Sequence, residues 1–149
     1  MAKRRILVID DEAAFVSLLK LNLEHFGEYE VRTECRGGRG LEAARLFHPD
    51  LILLDVIMPD VSGTEVAAQL KADEQVHDVP IVFLTAAVSQ SESAAGGPDG
   101  SITMAKPVTM PDLLACIEQR LKAPGAGGQR RRIGRSESAD SDEKKEAGA

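Results

Sequence analysis

The chain alternates short, wholly apolar runs with longer stretches in which apolar residues return every three or four positions. Ile6–Ile9, Leu51–Leu54 and Ile81–Leu84 are unbroken and rich in branched side chains. Runs of this length and branching read as strands buried on both faces. Tyr29 to Cys35 instead alternates Tyr, Val, Thr and Cys against Glu, Arg and Glu, as a strand with one wetter face does. Ser101–Ala105 reads as a fifth, smaller strand.

Helical periods lie between these runs. Phe15, Leu18, Leu19, Asn22, Leu23 and Phe26 keep a 3.6 spacing that Gly27 ends. Leu41, Ala44, Arg45 and Phe47 predict a second helix, closed before Pro49. Ser62-Gly63-Thr64-Glu65 has the form of a capping box and opens a third through Leu70. Thr109 to Asp112 opens a last helix carrying Leu113, Leu114, Ile117 and Leu121. The repeat also requires a fourth helix between Ala86 and Gly100. Val88 is the only large apolar residue there, among serines and glycines, so that helix is expected to be short, irregular or mobile.

Five strand–helix repeats imply an α/β fold with a parallel sheet. Strands one, three and four are uniformly apolar and belong in the middle; the alternating second and small fifth belong at the edges. Right-handed crossovers then favour the order 2-1-3-4-5. That order has a switch point between strands one and three, where ligands bind at the carboxyl ends of the strands.

Composition changes sharply after Leu121-Lys122. Residues 1–122 carry 12 basic and 19 acidic groups, net −7; residues 123–149 are net +1, with Ile133 as the only large apolar residue. The expectation is one domain over 1–122 and a disordered, charged Gly/Ser-rich tail over 123–149. The whole chain is net −6 and holds four Phe, one Tyr and no Trp. An acidic chain poor in aromatics argues for an aliphatic core and against direct nucleic-acid binding. The basic start is followed by only four apolar residues before Asp10, too few for a signal peptide. No stretch approaches the roughly 20 apolar residues of a membrane span, so no membrane insertion is expected. Cys35 and Cys116 read as buried or half-buried free thiols in a reducing, cytoplasmic setting.

The residues that close the strands carry the chemistry. Strand one runs into Asp10-Asp11, strand three ends at Asp55, strand four at Thr85 and strand five at Lys106-Pro107. In a parallel sheet all lie on one edge, and the strand order makes the acids neighbours. Three packed carboxylates stay ionised only if a cation neutralises them. An all-oxygen set suits Mg²⁺, which shares its shell with a phosphate. A carboxylate is also a nucleophile able to form an aspartyl phosphate. Each residue alone has an ordinary explanation, as a helix cap, a turn hydroxyl or a surface lysine. Together at matching strand ends they do not.

Ile-Leu-Val-Ile-Asp10-Asp11-Glu12, Leu-Ile-Leu-Leu-Asp55-Val-Ile-Met58-Pro59-Asp60-Val-Ser-Gly63, Ile-Val-Phe-Leu-Thr85-Ala86 and Lys106-Pro107 resemble the receiver domain of two-component response regulators. The resemblance spans roughly residues 3–122. It implies a flavodoxin-like, doubly wound five-stranded sheet with five helices. It also implies that Asp55 is the phosphoacceptor, and that Asp11, Asp55 and the backbone carbonyl of Ile57 bind Mg²⁺ directly, with Asp10 acting through water. Thr85 and Lys106 would hold the phosphoryl oxygens, and the Lys106–Pro107 bond would be cis. The donor would be a phosphohistidine on a sensor histidine kinase or phosphotransfer protein, acting on a monomer or weak dimer. Thr85, Ala86, Thr103, Lys106 and Pro107 would form the switch segment. Family members usually carry an aromatic three positions before the lysine, where this chain has Thr103. That departure suggests signalling through ordering of residues 86–104 instead. An apolar Ile57 beside the attacking water is expected to slow hydrolysis of the phosphate.

Other motifs are weaker. Gly38-Arg39-Gly40-Leu41-Glu42-Ala43 loosely matches a dinucleotide fingerprint, but it follows the second strand, at a sheet edge. There is no P-loop and no Gly-x-Ser-x-Gly elbow. His25, His48 and His77 lack acidic or Cys partners at ligand spacing. The function expected is a phosphorylation-dependent switch that works through an unknown downstream protein, since no effector domain follows residue 122. It is a binding module that phosphorylates itself from a donor, with at most autophosphatase activity. The alternative is a constitutive receiver-like scaffold that binds partners without phosphorylation. A Mg²⁺ phosphatase using Asp55 is disfavoured by Ile57, where aspartate-nucleophile phosphatases carry a second Asp.

Overall fold

A computed structural model describes residues 3–26, 28–86 and 102–122. The elements run β1 (Arg4–Ile9), α1 (Ala13–His25), β2 (Tyr29–Glu34), α2 (Gly40–Phe47), β3 (Leu51–Asp55), α3 (Gly63–Lys71), β4 (Ile81–Thr85), β5 (Ile102–Ala105) and α4 (Met110–Lys122). All strand pairs are parallel, in the order β2-β1-β3-β4-β5. This is the α/β architecture and strand order that the hydrophobic pattern implies. The fourth helix expected between Ala86 and Gly100, the helix stop at Gly27 and the 123–149 tail lie outside the described residues.

The continuous apolar runs have a simple cause. Side chains alternate across a strand, and here both faces are covered. Ile6, Val8, Leu51, Leu53, Val82 and Leu84 point to one layer, with Val16, Leu19 and Leu23 of α1 and Leu113, Ile117 and Leu121 of α4. Leu7, Ile9, Ile52, Leu54 and Ile81 point to the other, with Ala44 and Phe47 of α2 and Val66 and Leu70 of α3. A strand between two apolar layers has no position for a polar residue until it leaves the core. Asp10 follows the last residue of β1, and Asp55 and Thr85 close β3 and β4.

Local signals account for the helix ends. Ser62 caps α3: its Oγ accepts from Thr64 N at 3.2 Å, and Glu65 Oε1 accepts from Ser62 N at 3.4 Å. Thr109 Oγ1 accepts from Asp112 N at 3.3 Å at the start of α4. α2 stops at His48, in the left-handed region (φ 54°), directly before Pro49.

Two expectations are corrected. The inward face of α1 is Val16, Leu19 and Leu23, with Phe15 half-buried at its margin, while Leu18 and Phe26 are exposed. One helix face meets the sheet along a single line, so residues a third of a turn away face solvent, and α1 ends before Phe26. Cys35 is exposed rather than buried, because β2 ends at Glu34 and the alternation ends with it. Cys116 is half-buried on α4. Among the described residues no helix is long and apolar enough to cross a membrane.

Candidate functional site

Register brings the strand ends together. Ile9 pairs with Leu54, so the next position sets Asp10 beside Asp55. Asp10 N donates to Glu34 O of β2 at 3.1 Å, and Asp10 Oδ1 accepts from Glu12 N at 3.0 Å, turning the chain into α1. Thr85 pairs with Ala105, and Lys106 N donates to Thr85 O at 3.0 Å, so Lys106 rises next to Thr85. The Lys106–Pro107 peptide bond is cis.

One carboxylate oxygen from each of Asp10, Asp11 and Asp55 lies within 4.8 Å of the other two. Asp10 is 0 % and Asp55 4 % exposed, whereas Asp11 faces solvent. Lys106 Nζ donates to Asp10 Oδ2 at 2.7 Å and to Glu12 Oε1 at 3.1 Å, and lies 3.7 Å from Asp55 Oδ1. It also sits 4.6 Å from the centroid of the Phe15 ring. Ile57 N donates to Asp55 Oδ1 at 3.4 Å, while the Ile57 side chain is 61 % exposed at the rim.

The electrostatics follow from this crowding. Burial, and then the Asp10 carboxylate, push the Asp55 carboxyl up to about 6, against the pull of Lys106 and the Ile57 amide. Burial alone would lower Lys106, but its hydrogen bonds to Asp10 and Glu12 outweigh that and raise it. One ammonium among four acids leaves negative charge that a divalent cation would neutralise. The donor set, three carboxylates with a wet side at Asp11, fits a hard oxygen-seeking ion such as Mg²⁺.

Not every predicted residue reaches this cluster. Thr103 pairs with Phe83, two positions back from the Thr85–Ala105 pair, and is half-buried in the edge strand. Ala86 and Pro107 are exposed at the carboxyl edge. The segment expected to become ordered, residues 86–104, lies largely outside the described residues. Two contributors had no role in the sequence reading. Glu12 stood in the acidic motif without a partner, and Phe15 stood in the apolar period of α1. Their signal was weak because both meet Lys106 only through the fold.

The surrounding loops explain one glycine and occupy the amide of another. Gly63 N donates to Val56 O at 2.8 Å, and a Cβ on Gly63 would meet Asp55 O at 2.1 Å. Only a residue without a side chain lets α3 start so close to the end of β3. In the glycine-rich turn before α2, the Gly38 amide donates to Asp60 Oδ2 at 2.9 Å. That amide already serves an internal carboxylate, which leaves the dinucleotide resemblance without its phosphate contact.

A family model described as the response regulator receiver domain matches residues 6–118. The chain belongs to this family. It is 36 % identical over 121 residues to the DNA-binding dual master transcriptional regulator RpaA of Synechocystis, covering 79 % of this chain and 49 % of RpaA. The chain therefore spans about half the length of that relative. It is 31 % identical over 121 residues to the polar-differentiation response regulator DivK of Brucella ovis, covering 79 % of this chain and 96 % of DivK. In structure it is similar to the receiver domain of the sensor histidine kinase PA1611 from Pseudomonas aeruginosa. The TM-score is 0.70 at 23 % identity, over 82 % of this chain and 100 % of the other. That receiver has a magnesium ion coordinated in its active site cleft. At this identity the likeness speaks to the fold. The receiver fold and two-component signalling are thus the setting for the acidic pocket.

Proposed function

We propose that this receiver is a phosphorylation-dependent switch in which Asp55 accepts a phosphoryl group. The observation that carries the reading is the convergence of Asp10, Asp11 and Asp55 with Lys106 at the carboxyl edge. Asp11, Asp55 and the Ile57 carbonyl would hold Mg²⁺ directly, and Asp10 would help through water. The ion would supply charge neutralisation, opposing the burial and the Asp10 charge that raise the Asp55 carboxyl.

The chain's own groups do the rest. The donor is a phosphohistidine on a sensor histidine kinase or phosphotransfer protein. A carboxylate oxygen of Asp55 attacks phosphorus, the P–O bond forms as the P–N bond breaks, and the imidazole leaves with a proton from solvent. Lys106 and the Thr85 hydroxyl meet the equatorial oxygens, where transition-state charge spreads. The phosphorylated pocket favours a different conformer, and the change is read by a downstream protein, through Thr85, Ala86, Thr103, Lys106 and Pro107. The protein works in the cytoplasm as a monomer or weak dimer.

The test is intact mass after incubation with Mg²⁺ and acetyl phosphate. One phosphate per chain is expected, labile to both acid and base and released by hydroxylamine as an acyl phosphate is, and absent in Asp55→Asn. No adduct from this donor or from a cognate kinase would favour constitutive binding, and sustained turnover of a phosphomonoester would favour an enzyme.

A further inference from the structure

Phe15 packs at the edge of the core rather than within it. The buried line of α1 is Val16, Leu19 and Leu23, and Phe15 stands at its margin, half-buried. Its ring centroid lies 4.6 Å from Lys106 Nζ, inside the range of a cation–π contact. The ammonium has three N–H groups. Two are taken, by Asp10 Oδ2 at 2.7 Å and Glu12 Oε1 at 3.1 Å. That leaves one for an incoming oxygen, with Asp55 Oδ1 only 3.7 Å away.

We propose that Phe15 is a positioning residue for phosphoryl transfer, its ring holding the Lys106 ammonium at the mouth of the acidic pocket. The inference rests on Asp55 being the phosphoacceptor. Lysine sits on a flexible four-carbon stem, and freezing it costs rotamer entropy. Glu12 is exposed and draws the ammonium toward the rim, whereas Asp10 is buried and draws it inward. The ring covers a further side of the ammonium and attracts it as a cation, so the lysine stays charged and confined. An aliphatic residue at position 15 would fill the same margin of the core but would not attract a cation.

The full chain is compared with F15L, F15Y and F15W in two measurements. The first is the phosphorylation rate from acetyl phosphate at saturating Mg²⁺ and donor, read by intact mass. F15L is expected to be about three- to tenfold slower, and F15Y and F15W to stay within about twofold of wild type. The second needs no phosphate: the ring current of Phe15 should move the Lys106 Hε protons upfield, a signal identified by its loss in Lys106→Arg. F15L should return them to the ordinary lysine position, and F15Y should not. F15L at the wild-type rate, or all three variants slowed alike, overturns the role of Phe15, as do unshifted Hε protons in the wild type. A wild-type chain that takes no phosphate overturns the phosphoacceptor reading and this role together. A wild-type chain that takes phosphate while F15L matches it overturns this role alone.

Discussion

Lys106 Nζ and Asp10 Oδ2 lie 2.7 Å apart across 96 residues of sequence, and Asp10 is fully buried. The lysine at the end of β5 is therefore paired first with the acid at the end of β1, and only more distantly with Asp55. Removing one partner of a buried pair leaves an uncompensated charge. Lys106→Met should lower stability by about 3 kcal/mol in the presence of a chelator, by chemical denaturation. Added Mg²⁺ should restore part of that loss. An unchanged midpoint would show that the pair does not hold the pocket.

Asp55 gives the pocket a pH dependence of defined sign. Its carboxyl is raised to about 6 in the folded chain, so the native state binds a proton more tightly than the unfolded one. Stability should then fall as the pH rises from the ordinary carboxylate range through 6, by on the order of 2 kcal/mol. Denaturation at pH 5 and pH 7 without divalent ions should show the protein more stable at pH 5. Asp55→Asn should flatten that difference, and so should saturating Mg²⁺. A slope unchanged in Asp55→Asn would assign the effect to another group.

Gly63→Ala should be among the most damaging small substitutions. The added Cβ would lie 2.1 Å from the Asp55 carbonyl oxygen, a collision with the backbone that no rotamer relieves. A loss of about 3 kcal/mol or more is expected in thermal or chemical unfolding. The shift of α3 away from β3 should also weaken Mg²⁺ binding, because Asp55 is displaced. An alanine tolerated at wild-type stability would place α3 farther from β3.

The edge strand β2 is closed by side chains. Val31 N donates to Glu24 Oε2 at 3.1 Å, Lys20 Nζ donates to Val31 O at 2.7 Å, and Lys20 also donates to Glu24 Oε2 at 3.0 Å. This pair satisfies backbone groups that would otherwise recruit another strand. The Lys20 bond, followed by the Val31 amide, holds the Glu24 carboxyl below its ordinary value. Its contribution is therefore complete above the ordinary glutamate pKa and is lost as the pH falls through the lowered one. Glu24→Ala should cost about 0.5–1 kcal/mol, speed hydrogen exchange at the Val31 amide, and promote concentration-dependent association. Equal exchange in both proteins would show that the edge is guarded by something else.

Much of this was legible in sequence. The apolar runs announce buried strands because a strand between two layers has no polar face. The alternation in Tyr29–Glu34 announces an edge for the opposite reason. The acids, Thr85 and Lys106 stand out because a polar residue directly after such a run sits at the sheet's carboxyl edge. Other features were not legible. Nothing local in Phe15 distinguishes a core residue from a ring over an ammonium, and Cys35 continues an alternation whose strand has already ended. Leu18 and Phe26 fit a helical period but miss the line along which α1 meets the sheet.

The sequence by itself determined the parallel α/β class, the strand order and the set of polar residues that close the strands. These depend on periodicity and on where runs stop, which are local properties. Only the tertiary structure decided that Lys106 takes Asp10 and Glu12 as its partners, that Phe15 faces its ammonium, and that Gly63 must pass against the Asp55 carbonyl. Those relationships depend on register between strands and on side-chain reach across the edge, where a shift of one residue would exchange every partner.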